Sequence, residues 1–189
     1  MHAPADVASH FRRLAGDVLT HWHIQKRLSE CARDGTAFTS PRVGLFFARV
    51  NNLLIDFLFL SVARLHDPAS SSGQSNVSAN YIVEQIEDGE TKGKLTKLLA
   101  DMALFVQKHK QARNKLLAHN DAASILDSAG NIGGFESGDD EVYMMNLRCF
   151  ATIISEHYFN EPFLYADLAA NDVDAVQSIL ARGLDTFGD

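Results

Sequence analysis

The chain has 189 residues, about one domain's worth, and enough to bury a core without disulfides or metals. With 46% hydrophobic and 22% charged residues it falls in the globular range, which excludes a disordered tail, a collagen-like repeat and a disulfide scaffold. The formal net charge is −7, a balance that should repel nucleic acid unless positive charge is concentrated somewhere. Cys31 and Cys149 are too few and too far apart for a bridge framework or a zinc site, so reduced thiols in a reducing, cytoplasmic compartment are expected. No basic stretch followed by an apolar run opens the chain, so no secretion signal is expected.

In chain order, residues Asp6 to Arg33 carry Val7, Phe11, Leu14, Val18 and Leu28 at helical spacing, with Gly35 and Pro41 punctuating the exit. Val43 to Leu65 is apolar for long enough to span a bilayer. It carries Arg49, Asn51, Asn52, Asp56 and Arg64, however, and mid-bilayer charges cost roughly 2.5 to 3.5 kcal/mol each, so no membrane span is expected. Phe46, Val50, Leu53, Phe57 and Leu60 form one stripe, and Phe47, Leu54 and Leu58 another. Two faces therefore need cover, as on a central helix or one at a subunit interface.

Residues 69–76 read as a polar flexible loop, after which Ser78 caps a short helix to about Glu87. Asp88-Gly89 turns the chain. Thr91 then opens a long helix to about His119, in which Leu95, Leu98, Met102, Phe105, His109, Ala112, Leu116 and His119 recur by three and four. Gly130, Gly133, Gly134 and Gly138 make Ser128 to Asp140 an extended loop or short hairpin. Helices follow from about Glu141 to His157 and from Asp172 to Arg182, the latter with Gly183 as C-cap. No strands of period two recur. The expected fold class is all-α, an up-down bundle forming a single domain with its core over 5–160 and a C-terminal helical extension over 161–189.

The glycines near Gly130 lack the spacing and following Lys of a phosphate loop, and no His-Glu-x-x-His or Glu-x-x-His pair exists to hold metal on one helical face. His21 and His23, two residues apart, point to different sides of a helix. The exception is Arg113-Asn114-Lys115-Leu116-Leu117-Ala118-His119-Asn120-Asp121. On a helical wheel Arg113 lies roughly 60° to one side of the inward stripe and His119 roughly 60° to the other, about 9 Å apart along the axis. Direct contact is out of reach, but a phosphate lodged between them could be gripped by one and titrated by the other. A second subunit could also close the gap. The wheel turns Asn114 away from His119 and sets Lys115 nearer to it.

This stretch resembles the motif of the HEPN superfamily, an Arg, usually followed by a polar residue, four to six residues in all, then a His. Five residues separate Arg113 from His119. With Ala63-Arg64-Leu65-His66-Asp67-Pro68 upstream, then a loop and Asn76-Val77-Ser78, the chain is similar to the abortive-infection AbiU-like branch over roughly residues 40 to 125. The resemblance implies a helical homodimer and, in active members, a metal-independent ribonuclease without cofactor. His66 stands where an aliphatic residue is expected, and no Tyr follows His119 by two, which argues against the branch paired with nucleotidyltransferase antitoxins.

The implied chemistry is cleavage of RNA by its own 2′-hydroxyl. His119 transfers the proton, Arg113 stabilises the crowded phosphate, and Asn114 hydrogen-bonds it. Lys115, Arg64, Asp67 and Asp121 are the expected substrate-side residues, with Asp67 or Asp121 also placed to hold the imidazole in one tautomer. Expected partners are RNA, a second copy, and an antitoxin or another protein, with neither membrane nor DNA. Charge is permissive. Residues 92–115 hold seven Lys or Arg against Asp101 alone, a net +6, leaving −13 for the remainder. A solvated helix face accounts for such a run equally well. The competing readings are a catalytically silent HEPN module binding RNA, nucleotide or protein, and a purely structural bundle in which Arg113 is a surface ion pair and His119 a helix-terminal cation facing the carbonyl ends.

Overall fold

A computed structural model describes residues 4–114, 135–165 and 168–186. They form helices α1 (Pro4–Arg33), α2 (Gly44–Leu65), α3 (Ala79–Gln85), α4 (Gly89–Arg113), α5 (Asp139–Phe159) and α6 (Ala169–Thr186), with a 3₁₀ turn at Ala37–Thr39. The fold class is all-α. The expected long helix ends its described course at Arg113, with Asn114 as C-cap; its expected continuation to His119, and most of the glycine-rich stretch, lie outside the described residues.

Local chemistry sets the ends of these helices. Ser78 accepts a hydrogen bond from the Tyr81 N–H at the start of α3, and Asp88 accepts one from the Thr91 N–H at 2.8 Å at the start of α4. Hydrogen bonding from Thr91, its side chain first and then its backbone N–H, holds the Asp88 carboxyl below its usual range. Gly138, at φ +92°, turns the chain into α5, whose first turn carries Asp139, Asp140 and Glu141 against the positive end of the helix dipole.

Two sequence expectations change. Within the expected loop over 69–76, Ser70–Ser71 pairs antiparallel with Gln74–Ser75. Ser72 at φ +51° and Gly73 at φ +79° supply the two left-handed positions that a tight hairpin turn matching strand twist requires. Gly183 is not a C-cap: α6 runs through it to Thr186, because it lacks the left-handed backbone that ends a helix.

The chain divides into two compact units. One comprises Met1–Ala15 and Phe59–Leu164, the other Gly16–Leu58 and Tyr165–Asp189, so the C-terminal helix belongs with residues 16–58. In the first unit α4 packs along α5 and against α3. Phe11, Leu95, Met102, Leu147, Phe150 and Ile154 are fully buried there, and the rings of Phe11 and Phe150 meet at 5.3 Å. In the second unit Leu28, Cys31, Phe38 and Val173 form the core, with Ile24, Phe47, Val50, Leu54 and Leu180 packed against it. Arg27 there donates to Asp174 at 2.6 Å and to Glu30 at 3.1 Å, tying α1 to α6.

Candidate functional site

Helix α4 builds one wall of a groove in the first unit. Its core stripe, Leu95, Met102, Val106, His109 and Ala112, is buried. One edge further round, Ala103, Gln107, Lys110, Gln111 and Asn114 follow one another at steps of one to four residues and line a groove of about 410 Å³ together with His66 and Asn80. No carboxylate lines it among the described residues. The segment after α2 is pinned at its rim. Lys110 Nζ donates to the His66 carbonyl at 3.3 Å, and Asn80 Nδ2 donates to the Asp67 carbonyl at 3.0 Å and the His66 carbonyl at 3.5 Å.

Two buried imidazoles stand behind this rim, and both are neutral. Burial, then the positive charge of Lys110, pushes His66 down to about 3. Burial, then Arg113, pushes His109 down to about 4. His66 Nε2 and the fully buried Tyr143 hydroxyl share a hydrogen bond of 3.0 Å, while the His109 ring stacks on Phe59 at 4.6 Å and on Phe105 at 5.9 Å. Both imidazoles are therefore biased toward the neutral form at neutral pH. Their lowering also records a positive local potential from Lys110 and Arg113. Lys108, by contrast, is neutralised by Asp139 at 2.9 Å.

The sequence-predicted residues distribute unevenly. Arg113, half-buried, donates from Nε and Nη2 to Asn114 Oδ1 at 3.3 and 2.9 Å. The wheel turns Asn114 away from His119, and the structure gives it a place: it lines the groove and joins the guanidinium to it. Arg64 is exposed on α2 and does not line the groove. Asp67 contributes its backbone carbonyl to Asn80, not its carboxylate, and does not line the groove either. Lys115, His119 and Asp121 lie outside the described residues. His66, out of place for an aliphatic position, is explained by its Tyr143 partner.

Sequence reasoning missed Asn80, Gln107 and Gln111 and counted Lys110 only as one charge among seven. The signal was present: positions 103, 107, 110, 111 and 114 share a helical edge beside the apolar stripe. No group of three or more His, Cys, Asp or Glu side chains is arranged to hold a metal ion among the described residues. The second unit has a groove of about 570 Å³ beside Leu28, Phe38 and Phe47, where Gln25, Ser29 and Asn51 hydrogen-bond one another. Its lining is largely apolar with Arg33, Ser29, Asn51 and Asn52 among it, and holds no imidazole, carboxylate or thiol among the described residues.

The local arrangement can thus hold an anion: the Lys110 ammonium and several amides line the groove with no carboxylate among them, and Arg113, which does not itself line it, is hydrogen-bonded to Asn114 at its end. Comparison with known proteins gives a family. The model of the HEPN family described as AbiU2 matches residues 18–179, well beyond the 40 to 125 over which the sequence resemblance was legible. No curated protein and no solved structure matches. The match covers most of the chain, and the chain belongs to the AbiU2 family of HEPN domains.

Proposed function

We propose that this chain is an endoribonuclease acting in abortive infection or as a toxin, in the cytoplasm, with RNA as substrate and no metal in the reaction. The observation that carries the reading is the groove: Asn114 lines a wall without carboxylates together with Lys110, and it holds Arg113, the residue before it in the motif, by a hydrogen bond. A ribose phosphate seated there meets positive charge and amide donors. His119, with the only motif imidazole, takes the 2′-hydroxyl proton or protonates the leaving oxygen. The 2′-oxygen bonds to phosphorus as the bond to the 5′-oxygen breaks, leaving a 2′,3′-cyclic phosphate and a 5′-hydroxyl. Arg113 stabilises the charge that builds on the phosphoryl oxygens.

The test is pure protein with mixed RNA in EDTA, with product ends mapped. Cleavage giving cyclic-phosphate ends is expected, falling by roughly a hundredfold or more in His119→Ala and Arg113→Ala. Wild type that binds RNA without cleaving it would instead make this a silent RNA-binding module. Cleavage that survives in both variants would remove the motif from the chemistry.

A further inference from the structure

The groove beside α4 changes character along its length. Its wall begins with the apolar side chains of Leu99, Ala103 and Val106 and ends with Lys110, Gln111 and Asn114, the last holding Arg113 by its hydrogen bond. Gln107 stands where the two halves meet. Gln107 and Asn114 are seven positions, about 10.5 Å, apart along the helix axis, a span that a base, its ribose and one phosphate fill. An apolar end followed by a cationic one suits a ligand with a flat apolar face and an anion at opposite ends, which is the make-up of a nucleotide.

Helix α3 adds a hydrogen-bonding group of fixed polarity. Asn80 commits both hydrogens of its amide, one to the Asp67 carbonyl at 3.0 Å and one to the His66 carbonyl at 3.5 Å. An amide oxygen cannot pair with either carbonyl, so the amide has one orientation. Its Oδ1 is left as an acceptor with no partner among the described residues. Lys110 Nζ donates to the same His66 carbonyl, which sets this acceptor at the start of the cationic half. Gln107 differs from Asn80. It is exposed and makes no hydrogen bond among the described residues, so its amide can turn to present either nitrogen or oxygen.

We propose that this groove selects adenine: the base lies against Leu99, Ala103 and Val106, its exocyclic amine donates to Asn80 Oδ1, and its phosphate lies toward Lys110 and Arg113. Asn80 is then the specificity-determining residue of the nuclease. A base with a carbonyl in the amine's place sets two acceptors against each other and leaves both unpaired. Cytosine carries an amine too, but lacks the N7 acceptor beside it that a carboxamide such as Gln107 grips in adenine. Because Gln107 turns to suit either a carbonyl or an amine, it adds affinity without choosing between them. The inference deepens the nuclease reading and rests on it for RNA as the source of the nucleotide.

Isothermal titration calorimetry of the full chain with AMP, IMP, CMP and UMP, none of which can be cleaved, tests the groove apart from catalysis. IMP differs from AMP at the edge in question, with a carbonyl for the amine and a proton on the neighbouring ring nitrogen. AMP is expected to bind roughly tenfold tighter than IMP, and tighter than CMP or UMP. Asn80→Ala should bring the AMP-to-IMP ratio to about one, whereas Gln107→Leu should weaken both nucleotides and keep the ratio. The wild-type ratio needs no variant, so the proposal stays testable if Asn80→Ala loses helix content by circular dichroism. In uridine-rich RNA carrying one adenosine or one inosine, cleavage beside that position should favour adenosine by the same factor. A wild-type AMP-to-IMP ratio near one, binding of none of the four nucleotides at millimolar concentration, or a ratio unchanged in folded Asn80→Ala overturns the proposal. RNA cleaved equally beside adenosine and inosine removes the selectivity and leaves the nuclease standing. AMP selected while no RNA is cleaved removes the nuclease and leaves the adenine groove.

Discussion

Acid should destabilise this protein well before its carboxylates titrate. His66 and His109 are buried and titrate at about 3 and about 4, against 6.5 in an unfolded chain. Between those values the unfolded chain binds two protons that the folded chain refuses, so stability is intact above 6.5 and falls as pH drops toward 4. Moving from pH 7 to pH 5 takes about 2 kcal/mol from each histidine, about 4 kcal/mol together, or on the order of 10 °C in the midpoint of thermal unfolding. The carboxyls of Asp88 and Asp139 are also held down, from an ordinary value of 3.8, and their contribution is lost only at lower pH, so the window isolates the imidazoles. Urea titrations followed by far-UV circular dichroism at a series of pH values measure the loss. His109→Phe keeps a ring to stack on Phe59 and Phe105, and His66→Gln keeps a hydrogen-bonding group for Tyr143. Each variant should remove about half of the acid sensitivity. Wild-type stability that changes by less than about 1 kcal/mol between pH 7 and 5, or variants that both retain the full loss, would refute burial as the cause.

The same pair yields a coupling experiment. Tyr143→Phe strands the buried His66 nitrogen and should cost about 1–3 kcal/mol, whereas adding His66→Leu removes both polar partners, so the double variant should cost less than the two singles summed. Additive losses in a denaturation cycle would show that the 3.0 Å contact carries no energy. Glycine substitutions should split by sign. Gly93→Ala, in a helix with open space around its missing Cβ, should raise stability by about 0.5–1 kcal/mol, and Gly138→Ala, at φ +92°, should lower it by about 1 kcal/mol. Equal signs in unfolding midpoints would contradict the backbone argument.

Much of the fold was legible because it is local. Three- and four-residue periodicity marked α1, α2 and α4. Ser78 marked the start of α3, and Asp88-Gly89 marked the boundary before α4. The helical class and the AbiU2 family follow from such patterns together with the words around Arg113. The hairpin at Ser70–Ser75 escaped because a two-residue strand has no period to detect, and its turn is built on a Ser-Gly pair inside a polar stretch.

What the sequence determined by itself was which residues are helical and which face of each helix is apolar, since both follow from neighbours within one turn. Tertiary structure alone decided which apolar residues find cover: on α2 Phe47, Val50 and Leu54 are packed while Phe46, Leu53 and Leu60 are bare, although periodicity groups Val50 with the Phe46 stripe. It also decided that His66 is a neutral wall and not a misplaced ligand, because its partner Tyr143 lies 77 residues away. The groove likewise joins the end of α2, the start of α3 and the last turns of α4. Such pairings depend on how helices cross in space, and a chain's local period carries no information about its distant neighbours.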